Sequence, residues 1–143
     1  MDKNKPRIVI DTNVLISGIV FGGKPRQILD LLAKQSVIVI VAEEILTELR
    51  RKISTKFPDF IEDLNKVELL LKRDAVLIKL GEISINISRD PDDNKFIESA
   101  ILGRCSFIIT GDKDLLILKS YKNLNIIKPD EFLKLVSKLK VTG

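Results

Sequence analysis

Short apolar runs rich in β-branched residues alternate along this chain with longer stretches of helical period, and that alternation restricts the fold more than any other feature. Arg7–Ile10, Val37–Val41, Val76–Leu80, Phe107–Ile109 and Asn125–Ile127 read as strands, about five in all. Between them, Pro25 suits an early helical position, and Ile28, Leu29, Leu31 and Leu32 continue that helix. Ala42, Ile45, Leu46, Leu49 and Ile53 fall at i, i+3, i+4, i+7 and i+11, one face of an amphipathic helix. Phe60, Leu64, Val67, Leu70 and Leu71 mark another, Phe96, Ile97, Ala100 and Ile101 a third, and Glu131–Leu139 a C-terminal helix. Strands that alternate with helices build a mainly parallel sheet covered on both faces. In such sheets ligands bind beyond the carboxyl ends of the strands, where the strand order reverses. The polar residues just after each strand are therefore the ones to inspect.

The rest of the composition narrows the chemistry. The 143 residues suit one domain over 1–143, and no Pro/Gly/Ser linker, low-complexity tract or repeat divides them. At 45% hydrophobic residues the chain can bury a core of its own, and the pattern is not that of a disordered segment. Cys105 is the single cysteine, so no internal disulfide forms. There is no histidine. That excludes Ser-His-Asp and Cys-His catalysis, histidine-relay ribonucleases and the usual zinc sites. Hydrolysis by this chain must use carboxylates, lysines, hydroxyls or a hard metal ion held by oxygen.

Twenty-four Lys and Arg against 20 Asp and Glu leave a net charge of +4, compatible with a polyanionic partner. The basic clusters at Lys3/Lys5/Arg7, Arg50/Arg51/Lys52/Lys56 and Lys134/Lys138/Lys140 read first as solvated surface. With 5% aromatic residues and no tryptophan, an open stacking platform for single-stranded bases is not expected. The longest apolar run, Val37–Ala42, is far short of the roughly 18 residues of a membrane span. The polar start leads into no secretory apolar region, and a cytoplasmic location without membrane association is expected.

Two strands run into acidic turns, Asp11-Thr12-Asn13 and Thr110-Gly111-Asp112-Lys113-Asp114. An Asp in either place alone reads as a turn or helix cap. Should the two strands be adjacent and parallel, the carboxylates would meet at one end of the sheet. In Asp90-Pro91-Asp92-Asp93-Asn94-Lys95-Phe96, Asp93 shares the helical face of Ile97 and Ala100, and Asp92 does not. Asp93 is thus aimed along the buried side of its helix; a plain N-cap or first-turn acid explains Asp92 well and Asp93 less well. Glu48 borders the Ile45/Leu49 stripe and Glu44 lies a turn earlier; periodicity favours Glu48 only slightly. If Asp11, Glu48, Asp93 and Asp112 converge, their repulsion calls for counter-charge or shared protons. An all-oxygen site suits Mg²⁺ or Mn²⁺, which can activate water and hold a phosphodiester.

These motifs, in this order, resemble those of the PIN domain, above all the bacterial and archaeal branch of toxin components of toxin–antitoxin systems: Asp11-Thr12-Asn13-Val14-Leu15, Ile45-Leu46-Thr47-Glu48-Leu49, Asp90 to Ala100, and Thr110-Gly111-Asp112-Lys113-Asp114-Leu115. The resemblance runs from about Arg7 to the C-terminal helix. It implies a three-layer α/β/α sandwich and an endoribonuclease dependent on Mg²⁺ or Mn²⁺. Asp11, Glu48, Asp93 and Asp112 would be its acidic catalytic residues. Asp11, Asp93, Asp112 and, as a further acidic member, Asp114 would hold the metal. Asn13 and Thr110 would orient carboxylates or water. It also implies an RNA substrate, a homodimer and an antitoxin partner. A receiver domain and a haloacid-dehalogenase-type phosphatase fit less well, since Asp11 has no acidic neighbour and Asn13 stands where the phosphatase needs a second Asp. A non-catalytic PIN-like module that binds RNA or a partner is the rival of another class.

Overall fold

The computed structural model describes residues 5–81 and 91–142, with side chains as far as residue 138. Lys3, Asp90, the irregular stretch read ahead of Pro91 and the Lys140 side chain lie outside the described residues. A mainly parallel sheet is flanked by helices in three layers. Its strands are β1 (Arg7–Ile10), β2 (Ile38–Ala42), β3 (Val76–Ile78), β4 (Phe107–Ile109), β5 (Ser120–Tyr121) and β6 (Leu124–Ile127). The helices are α1 (Thr12–Val20), α2 (Gly23–Ala33), α3 (Glu43–Lys56), α4 (Ile61–Asp74), α5 (Asn94–Leu102), α6 (Lys113–Leu116) and α7 (Pro129–Thr142). The strand order is β3-β2-β1-β4-β6-β5, so the chain runs outward from β1 to one edge and then crosses back to fill the other.

β1 lies between β2 and β4 and is parallel to both, with Ile8 opposite Val39 on one side and Phe107 on the other. This is the point where the strand order reverses, and the carboxyl ends of β1 and β4 sit side by side there. Ile8, Val9, Ile10, Val39, Ile40, Ile108 and Ile109 are all buried, as expected of strands covered on both faces.

The sheet has six described strands, where the sequence pattern predicts about five. The sixth, β5, is two residues long and runs antiparallel to β6. So short an element has no period of its own to read. β2 lies one residue later than the apolar run suggests, and β3 stops at Ile78, before Leu80.

Helix α1 is the larger departure, since periodicity assigns no element to Thr12–Val20. Thr12, Val14, Leu15, Ile16, Gly18 and Ile19 are all buried, so the helix is apolar nearly all round and has no stripe to detect. It is tied to α2 at its far end. Arg26 Nε donates to the Gly18 carbonyl and the guanidinium also donates to that of Ile19, each at 2.9 Å. Gly18 permits this close approach, because a Cβ there would stand 3.2 Å from the Pro25 carbonyl carbon. The helix that carries the acidic turn of β1 is thereby fixed at both ends.

Candidate metal centre

The geometry starts with the two central strands. The Asp11 amide donates to the Ile109 carbonyl (2.9 Å) and continues the β1–β4 ladder one step past the strands. Asp11 and the Thr110–Asp112 turn therefore emerge together. The buried Thr110 hydroxyl joins them: it donates to Asp11 Oδ2 at 2.6 Å and accepts from the Asp112 amide at 3.0 Å. Asp11 Oδ1 accepts from the Asn13 amide (3.0 Å), and Asp112 Oδ1 from the Asp114 amide (2.8 Å). Both acids thus cap the helix that follows, α1 and α6 respectively. Capping does not exclude a second role, because each carboxylate oxygen has more than one lone pair. Asn13 reaches Asp11 through its backbone amide.

Asp93 is different. It ends the single turn Pro91–Asp93 and occupies the N-cap position of α5, yet its side chain makes no capping bond. It is 5% exposed, and Asp92 beside it is exposed. Burial of Ile97 and Ala100 sets the rotation of α5, and Asp93 follows that face inward. Its Oδ2 is enclosed, with no hydrogen-bond donor in reach among the described residues.

Oxygens of Asp93, Asp112 and Asp114 all lie within 4.8 Å of one another. Beside them is a small cavity of about 100 Å³ whose walls include Asp11, Glu48, Asp93, Asp112, Lys52 and Lys95. The structure thus brings Asp93, Asp112 and Asp114 to one point and sets Asp11 and Glu48 around it. Glu44 is turned elsewhere: its Oε1 accepts from the Leu80 amide at 3.3 Å, beyond the end of β3.

Both oxygens of Glu48 are bonded to side chains. Oε1 accepts from the Thr12 hydroxyl and Oε2 from Lys95 Nζ, each at 2.6 Å. Sequence reasoning singled out neither Thr12 nor Lys95 as a site residue. The only local signals are the place of Thr12 beside Asp11 at a helix start and the first-turn place of Lys95 on the helix that Asp93 opens. Lys52 sits one turn after Glu48 on α3, and its charge reaches both Glu48 and Asp11.

Asp11 and Glu48 are shifted in opposite directions. Burial pushes the Asp11 carboxyl above its ordinary value and the charge of Asp112 adds to that, while Thr110, Asn13 and Lys52 pull the other way. Burial also acts on Glu48, but bonds from Lys95 and Thr12, with the charges of Lys95 and Lys52, outweigh it and hold the group below its ordinary value. The donors that converge are all carboxylate oxygens, partly or wholly buried. That set fits a hard divalent cation such as Mg²⁺ or Mn²⁺ and suits neither zinc nor copper.

An α/β sandwich with carboxylates gathered at its switch point defines a class, and sequence comparison names it. The sequence model of the PIN domain matches residues 7–114, and the chain belongs to that family. PIN domains are generally nucleases. The chain is similar to the uncharacterized protein MJ1680 of Methanocaldococcus jannaschii, at 35% identity over 146 aligned residues and 94% of each chain. It also resembles a chain in the crystal structure of VapBC2 from Rickettsia felis bound to a DNA fragment from their promoter, with a TM-score of 0.57 and 17% identity, covering 84% of this chain and 96% of that one. At that identity the likeness shows the fold.

Proposed function

We propose that this protein is an endoribonuclease dependent on Mg²⁺ or Mn²⁺, and the toxin of a toxin–antitoxin pair. The observation that carries the nuclease reading is the meeting of Asp93, Asp112 and Asp114 oxygens within 4.8 Å of one another, beside the buried Asp11. Asp11, Asp93, Asp112 and Asp114 would hold the cation. When bound, such an ion acidifies water and offsets the charge of a phosphodiester under in-line attack. The chain's own residues prepare the site for it. Thr110 orients Asp11 and Asp112 through one hydroxyl, and the α6 cap keeps Asp112 and Asp114 together. Glu48 stays ionised at the cavity wall under the hold of Lys95 and Thr12. Lys52 and Lys95 supply positive charge beside the carboxylates and would draw in the phosphate backbone.

RNA as substrate, an antitoxin partner, a homodimer and a cytoplasmic location rest on the family resemblance; no described helix is long and apolar enough to cross a membrane. The test is cleavage of a total RNA pool with Mn²⁺ and with chelator. Parent protein should cleave only with the metal, and Asp93→Asn should not cleave. Equal cleavage by parent and variant, or none by the parent under any divalent ion, would overturn the reading.

A further inference from the structure

The carboxylates of this centre fall into two sets. Asp93, Asp112 and Asp114 turn oxygens toward one point. Glu48 does not join them: one oxygen takes the Thr12 hydroxyl, the other the Lys95 ammonium, both at 2.6 Å. The Lys95 and Glu48 side chains are 22% and 17% exposed, so the pair is partly shielded from solvent and its charges are less screened than those of a surface pair. The ammonium lies 5.3 Å from the centroid of the Phe96 ring, which is itself buried. It stands in the wall of the acidic cavity.

We propose that the Lys95 ammonium does the work of a second cation, so that this centre takes one divalent ion per chain. The inference rests on the metal-centre reading above and deepens it. In paired sites the two ions stand roughly 3.5–4 Å apart and share carboxylates. A second ion held by Glu48 Oε2 would sit about 2.1 Å from that oxygen. Since the ammonium is 2.6 Å from the same oxygen, ion and ammonium would stand within about 5 Å of each other in a partly shielded wall. Paired ions tolerate such closeness by sharing carboxylates, but Glu48 stands apart from Asp93, Asp112 and Asp114 and both its oxygens are already bonded, so the repulsion there is not offset. Lys95 also satisfies the charge of Glu48, and a second ion would gain little there. The lysine is covalently fixed and always present, so occupancy of the Glu48 side does not depend on metal concentration. Lys95 is a positioning residue in that it holds Glu48, while its own charge keeps a second ion out.

Counting bound Mn²⁺ by electron paramagnetic resonance and titration calorimetry on the whole chain tests this without any activity assay. Parent protein should bind one Mn²⁺ per chain with an uncoupled spectrum. Lys95→Met keeps the stem and removes the charge; it should admit a second ion, with the spin coupling of a pair a few ångströms apart. Lys95→Arg should restore one. Two coupled ions in the parent would overturn the inference and leave the nuclease reading standing. So would a folded Lys95→Met that still binds one. No Mn²⁺ bound by the parent would overturn the metal-centre reading itself. The parent count decides even if Lys95→Met fails to fold.

Discussion

Thr110 shows how much rests on single groups in this centre. Its hydroxyl is enclosed, donates to one acid and accepts from the backbone of another. Thr110→Val keeps the shape and removes both bonds. It should destabilise the fold by about 1–3 kcal/mol, the cost of buried polar groups left without partners. It should also lower metal affinity or cleavage roughly 10–100-fold, as loss of a group that orients ligands does. Denaturant unfolding and a cleavage assay check the two parts.

Opposite shifts at Asp11 and Glu48 give stability a pH dependence with two signs. Asp11 titrates higher folded than unfolded, so the metal-free protein loses stability as pH rises from the ordinary carboxylate range through the folded value. Asp11→Asn should remove that decline. Glu48 titrates lower when folded, so its contribution is complete above the ordinary glutamate range and is lost as pH falls through the depressed folded value. Glu48→Gln should therefore be less stable than the parent at neutral pH, with the difference shrinking in acid. Thermal unfolding from about pH 3 to 8 reads both. These residues differ in how legible they were. Asp11, Asp93 and Asp112 showed in the sequence because strand ends and a helix face point them. The hold on Glu48 comes from Thr12, 36 residues away, and Lys95, 47 residues away, and no local pattern encodes such distances.

Among the elements, α5 has the least freedom, because it aims Asp93. It packs on β1, β2 and β4, and its last turn ends at Gly103. A Cβ on Gly103 would stand 2.5 Å from Ile40 Cγ1, and the Gly103 carbonyl also accepts from Arg7 Nε at 2.8 Å. Gly103→Ala should therefore push α5 off β2, at about 1–3 kcal/mol, the usual cost of overpacking. It should weaken metal binding although it touches no carboxylate. Unfolding and Mn²⁺ titration of the variant check this. Elements with a simple pattern were legible: α3 and α4 show their buried stripes plainly, and β1, β2 and β4, covered on both faces, their apolar runs. Helix α1 was not, since it is buried nearly all round, and neither was the two-residue β5. The acidic turn of β1, which taken alone reads as a turn or a helix cap, caps a helix that periodicity does not reveal.

At the scale of the molecule, the strand order turns scattered acids into a centre. Because β1 and β4 are neighbours and parallel, residues about a hundred positions apart meet at one edge, and α5 delivers Asp93 to the same edge. A metal-free centre of this kind holds like charges together, and an ion that binds the folded chain alone should stabilise it. The most direct measurement is thermal unfolding of the parent and of Asp93→Asn at pH 7 over a range of Mn²⁺. At a hundredfold excess over Kd the ion should add about 2.7 kcal/mol. In a domain of this size that raises Tm by roughly 5–10 °C. Asp93→Asn should lose most of the rise. A parent Tm indifferent to Mn²⁺, or a rise that survives intact in Asp93→Asn, would contradict the claim that these carboxylates form a metal centre.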